Sequence, residues 1–173
     1  MPRYCLLYAL AALCASPLLK ADPLPYTYSG NTTGAPTYTS VDGGTSPYTT
    51  FEFTVSLSGN YTFFQEDPGG FLADMALYEI SFDPTHPSTN WDDSKNGPFP
   101  YTGFTDHLTA GTLYILVNSG TSLTQFGAFT ESITRAPEGA QLTPVPDPSS
   151  VLLLGTIAMG LVVALRQRTL RRS

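Results

Sequence analysis

The chain has 173 residues, of which 12% are aromatic and only 13% charged, with a formal net charge of −6. Six of its eight basic residues, Arg3, Lys20, Arg166, Arg168, Arg171 and Arg172, sit near the two ends. Between the ends only Lys95 and Arg135 stand against all fourteen acids, a formal −12, which repels nucleic acid and anionic lipid headgroups and suits a soluble exported surface or divalent cations.

In chain order, Met1–Tyr4 forms a small positive start and Cys5–Leu19 an apolar run too short for a stable span. Together they predict a secretory signal peptide over residues 1–21, cut after Ala21, with a cut after Ala15 as the alternative and a retained anchor as the other reading. Cys14 does not read as a lipoprotein cysteine, because Leu13 stands where a small residue is required. Both cysteines, Cys5 and Cys14, fall inside this leader. The exported body is therefore expected to rely on its core alone, without disulfides, thiol catalysis or Cys-ligated metals.

Residues 22–49, rich in Thr, Gly, Pro and Tyr, read as an extended lead-in or as edge strands. A single β-sandwich is expected over residues 50–136. Phe51, Phe53, Val55 and Leu57 alternate with polar residues, then Ser58-Gly-Asn60 turns into Tyr61–Gln65, which predicts a hairpin with one buried face. Ala76, Tyr78, Ile80 and Phe82 alternate in the next strand. Leu113, Ile115 and Val117 form another, with Tyr114 and Leu116 on its opposite face. Phe129 and Ile133 belong to the last expected strand, before a proline-rich linker over 137–148. Composition and spacing predict a mainly β protein built as one antiparallel sandwich.

Chemistry-bearing residues are few. His86 and His107 lack metal-ligand spacing, and no Gly-x-Ser-x-Gly elbow occurs, so no catalytic residue is expected. Asp74, Asp83, Asp92 and Asp93 cluster around one strand and its loop near Asn90; they are the candidate calcium ligands, calcium preferring six to eight oxygens. Asp-Pro and Asp-Asp-Ser are equally turn formers through side-chain-to-backbone bonds. Trp91, expected in that acidic loop, is the candidate glycan contact, with Phe99, Tyr101 and Phe104 flanking a Gly/Pro-rich loop.

The end of the chain is the most specific passage. Pro146-Asp147-Pro148 and two serines precede Val151–Leu165, which has no charged residue. Its fifteen positions give a helix of about 22 Å, and the expected transmembrane helix over 149–165 reaches the lower limit for spanning once the flanking arginines snorkel. Arg166, Arg168, Arg171 and Arg172 would hold the end, residues 166–173, in the cytoplasm and place the body outside. A buried helix is the competing reading, disfavoured because the run has no polar face.

Triplet, apolar helix and arginine end resemble the PEP-CTERM sorting domain, whose triplet is Pro-Glu-Pro; here Asp147 replaces Glu. The resemblance covers about the last thirty residues. It implies export through the Sec translocon, recognition by an exosortase-type membrane protease, inner-membrane anchoring before processing, and a final place at the cell surface or in an extracellular exopolysaccharide matrix. A second resemblance spans about Thr50–Thr134. Phe51–Phe63, Leu77–Pro84 with Asn90–Asp93, Leu108–Val117 and Phe126-Gly127 look like the pre-peptidase C-terminal-like sandwich, a jelly roll. It implies a non-catalytic accessory module. The leading expectation is a non-enzymatic structural or adhesive protein without cofactor. A calcium- or glycan-binding accessory module is the alternative, and a carboxylate-based glycosidase is a third reading.

Overall fold

Short alternating runs punctuated by glycine and proline cannot bury an apolar stripe as helices, but they can bury one face as strands. The computed structural model describes residues 21–66, 70–97, 101–134 and 136–145, and every regular element in it is a strand. Eleven strands are described: β1 (Asp22–Pro23), β2 (Tyr26–Asn31), β3 (Thr37–Thr39), β4 (Thr45–Val55), β5 (Gly59–Glu66), β6 (Ala73–Glu79), β7 (Trp91–Asn96), β8 (Tyr101–Leu108), β9 (Tyr114–Gly120), β10 (Ala128–Thr134) and β11 (Gln141–Pro144). They form two antiparallel sheets packed as a sandwich. One runs β1-β11-β4-β9-β6-β7 with β3 added to β4, and the other runs β2-β10-β5-β8. The expected leader and the tail with Pro146, Asp147, Pro148 and the four arginines lie outside the described residues.

The expected hairpin of Phe51–Val55 with Tyr61–Gln65 does not form. β4 pairs with β9, β11 and β3, while β5 pairs with β10 and β8 in the other sheet. The physical reason lies in what the two runs bury. Phe53 and Val55 from one sheet and Tyr61 and Phe63 from the other all belong to one core, so the chain bends across the sandwich and sets the runs face to face. The Tyr61 hydroxyl donates to Leu57 O at 2.6 Å across this bend, and Leu57, the expected fourth member of the alternation, stays exposed.

Phe53, Phe63, Leu77, Tyr114, Leu116 and Ile133 are completely buried between the sheets. Rings continue the packing: Tyr28 stacks on Phe51 at 4.2 Å, and Phe51 on Phe53 at 5.6 Å. Each such side chain contributes about 1.5–3 kcal/mol of burial. β6 and β9 are buried on both faces, as strands at the middle of a covered sheet must be. Their second face packs Tyr78, Ile115 and Val117 under Tyr38, Tyr48 and Phe82. The run expected to continue through Ile80 and Phe82 therefore stops at Glu79. Ile80 takes a left-handed backbone (φ 68°), is 67% exposed, and donates its N–H to Leu113 O at 2.8 Å.

The paired strands extend beyond residues 50–136. β2 edges the four-stranded sheet, and β11, inside the stretch expected as a linker, pairs with β4 through Leu142↔Val55.

Candidate functional site

Alternation and register decide where each candidate side chain lies, and they separate the four aspartates. Asp74 stands opposite Asn96 and Ser119 near the start of β6, whereas Trp91 and Asp93 stand opposite Tyr78 and Leu77 near its end. A register shift between Leu77 and Tyr78 leaves Asp92 as the extra residue of a bulge. Asp83 lies in the loop between the two strands. Among the described residues, no group of three or more His, Cys, Asp or Glu side chains is placed to hold a metal ion. The calcium cage expected from sequence proximity is therefore not assembled, because the strand geometry spreads the four carboxylates along the sheet and the loop.

Each aspartate does something local instead. Asp83 accepts from the Thr85 N–H at 2.8 Å, the Thr85 hydroxyl at 2.7 Å and His86 Nδ1 at 3.0 Å. Those bonds, the Thr85 hydroxyl first, hold its carboxyl down at about 2. Asp93 accepts from the Ser94 N–H at 2.7 Å. Asp92 is pushed up to about 6, first by burial and then by Asp106, which reaches it from β8 by charge and hydrogen bond, with Glu79 and Asp93 adding to the effect. Asp74 is 2% exposed, and its Oδ1 has no hydrogen-bond partner among the described residues. Burial pushes its carboxyl up to about 6, the Ser40 hydroxyl opposing and Asp42 reinforcing the shift. On the same strand, the Tyr78 hydroxyl is pushed up to about 12, first by burial and then by Asp74.

The His86 ring brings its Nδ1 to 3.0 Å from the Thr85 hydroxyl, which itself donates to Asp83 at 2.7 Å. His86 is exposed on its loop. Asp106 and His107 are sequence neighbours on β8, so their side chains point to opposite faces, and His107 reaches Asp106 through its backbone N–H, at 2.7 Å.

Trp91 is a strand residue, correcting the loop expected for it. It is 43% exposed on β7, the edge of the larger sheet, preceded by Asn90 in a left-handed conformation (φ 58°). Tyr101 lies on the other sheet, and Phe104 stacks on Phe63 at 5.0 Å against the core, so these aromatics do not form one site with Trp91. Phe99 lies outside the described residues.

A groove of about 660 Å³ lies on the outside of the larger sheet, lined by Pro36, Tyr48, Thr50, Glu52, Ile80 and Phe82 among others. Glu52 is the one carboxylate in its lining. A lone carboxylate without a facing acid or base offers contact rather than acid–base chemistry.

No protein-family model matches the chain, and no curated protein matches it. Solved structures do show likeness. The pre-peptidase C-terminal domain of a collagenase from Bacillus anthracis is 15% identical, covers 64% of this chain and 90% of its own, and has a TM-score of 0.47. A family 35 carbohydrate binding module from an environmental isolate is 18% identical, over 75% of this chain and 91% of its own, with a TM-score of 0.35. A carbohydrate binding module from Cellvibrio mixtus lichenase 5A, solved with cellotriose, is 11% identical, over 64% and 98%, at 0.33. With every score below 0.5, the sandwich rests on its own strand pairing and no functional step rests on these likenesses.

Proposed function

We propose that this chain is an exported, non-enzymatic β-sandwich with a structural or adhesive role, sorted by its C-terminal signal to the cell surface or extracellular matrix. The observation that carries this reading is the order of Pro146-Asp147-Pro148, an uncharged run and four arginines, placed directly behind a domain whose last strand ends at Pro144. A cut at or beyond the triplet spares every described strand pair. The strand order supports a jelly roll: β2-β10-β5-β8 faces β4-β9-β6-β7, with most successive strands crossing between the layers. Such a body needs no disulfide and presents an acidic, soluble exterior. The Sec translocon, an exosortase-type protease and, finally, exopolysaccharide are the partners of this reading.

The test is a Pro146→Ala, Pro148→Ala double variant in an exosortase-bearing host. The account predicts that the wild-type chain loses its tail, whereas the variant accumulates in the inner membrane with the tail attached. Equal processing of the two would remove the sorting reading.

A further inference from the structure

The outside of the four-stranded sheet differs chemically from the rest of the exterior. Alternation turns Thr27 and Ser29 of β2, Thr130 and Ser132 of β10, Thr62 of β5 and Thr105 of β8 outward. Register sets these hydroxyls in rows: Thr27 meets Ser132 at 3.2 Å, Ser29 meets Thr130 at 3.3 Å, and Thr62 meets Thr105 at 2.7 Å. Beside the last pair, Phe64 (40% exposed) and Tyr101 (49% exposed) stack at 5.3 Å with 26° between their planes. Gly103 lies opposite Phe64, and a Cβ there would meet Phe63 O at 2.6 Å, so no side chain fills the space beside the rings. The result is a shallow cavity of about 320 Å³ lined by Thr62, Phe64, Tyr101, Gly103 and Thr105 among others. That size lies within the range of small-ligand clefts.

We propose that this face is a binding platform for a neutral polysaccharide, deepening the adhesive reading above and resting on it for its biological setting. The chemistry matches on both counts. A pyranose ring offers an apolar C–H face to an exposed aromatic ring and equatorial hydroxyls at its rim to Ser and Thr, which both donate and accept. Charge selects the neutral polymer. Glu66 and His107, at opposite ends, are the only outward-facing Asp, Glu, His, Lys or Arg side chains on the four strands, and an anionic polymer would meet no lysine or arginine there. The body around the face is acidic, which adds repulsion against polyanions.

The experiment is retention of the full chain, purified in a detergent without a sugar headgroup, on amorphous cellulose, xylan, mannan and dextran, with alginate as the anionic comparison. The platform predicts retention on at least one neutral polymer and none on alginate. Phe64→Ala and Tyr101→Ala should each weaken that retention about tenfold with unchanged melting, while Tyr101→Phe keeps it. If Phe64→Ala fails to fold, Tyr101→Ala decides alone. No retention on any neutral polymer, or equal retention of both alanine variants, overturns the platform. So does sedimentation showing a dimer that Phe64→Ala splits, since the face would then join two copies. Because the purified chain is measured directly, these outcomes leave the sorting proposal standing, and an uncut tail in cells leaves the platform standing.

Discussion

Asp74 shows how one buried group shapes the whole stability profile. In the unfolded chain its carboxyl ionises near its ordinary value of 3.8, and in the folded chain at about 6. Between those values the folded form holds the extra proton, so its stability falls as pH rises through that window and stays reduced above it. The penalty at neutral pH is about 3 kcal/mol. Asp74→Asn is therefore expected to melt higher than wild type at pH 7.5 and to lose that advantage at pH 4, which thermal unfolding at the two pH values measures. Ile80 carries a different cost. A β-branched residue at φ 68° is strained, and its exposed side chain recovers little burial. Ile80→Asn should gain about 1 kcal/mol in chemical denaturation, because Asn tolerates the left-handed region. Neither role was legible in the sequence. The spacing of Asp74 and Asp83 suggested a shared ion, but only register shows that Asp74 lies near the start of β6, at the end away from Asp83, and nothing in the residues around Ile80 announces a left-handed turn.

Strands were easier to read than their partners. Alternation located β4, β5, β6, β9 and β10 because period-2 burial leaves a direct trace in residue type. It carried no information about which strand lies alongside which. The turn Ser58-Gly59-Asn60 suits a hairpin and suits a crossing between layers equally well, and the decision comes from the shared core of Phe53, Val55, Tyr61 and Phe63. β11 was hidden by composition. Pro137, Pro144 and the prolines beyond it read as a linker, yet Pro144 ends a strand whose Leu142 is fully buried. Leu142→Ala should therefore cost about 2–5 kcal/mol in equilibrium unfolding, where a true linker residue would cost almost nothing. The outward pair of Phe64 and Tyr101 was equally invisible, since it depends on the pairing of β5 with β8.

For the molecule as a whole, the sandwich offers two outer surfaces of different character and no assembled metal cage among its described residues. Millimolar calcium is accordingly expected to leave the melting temperature of the full chain unchanged; a clear rise would show that the aspartates converge on an ion after all. The larger outcome concerns the ends. The described body closes its sheets with β1, starting at Asp22, and β11, ending at Pro144, so both flanking segments can be removed without breaking a described strand pair. Mass spectrometry of the chain recovered separately from membranes and culture supernatant examines this directly. The account predicts released protein that begins at Asp22 and lacks Val151–Ser173. Full-length protein confined to the cytosol, with Met1 and Ser173 both present, would contradict it.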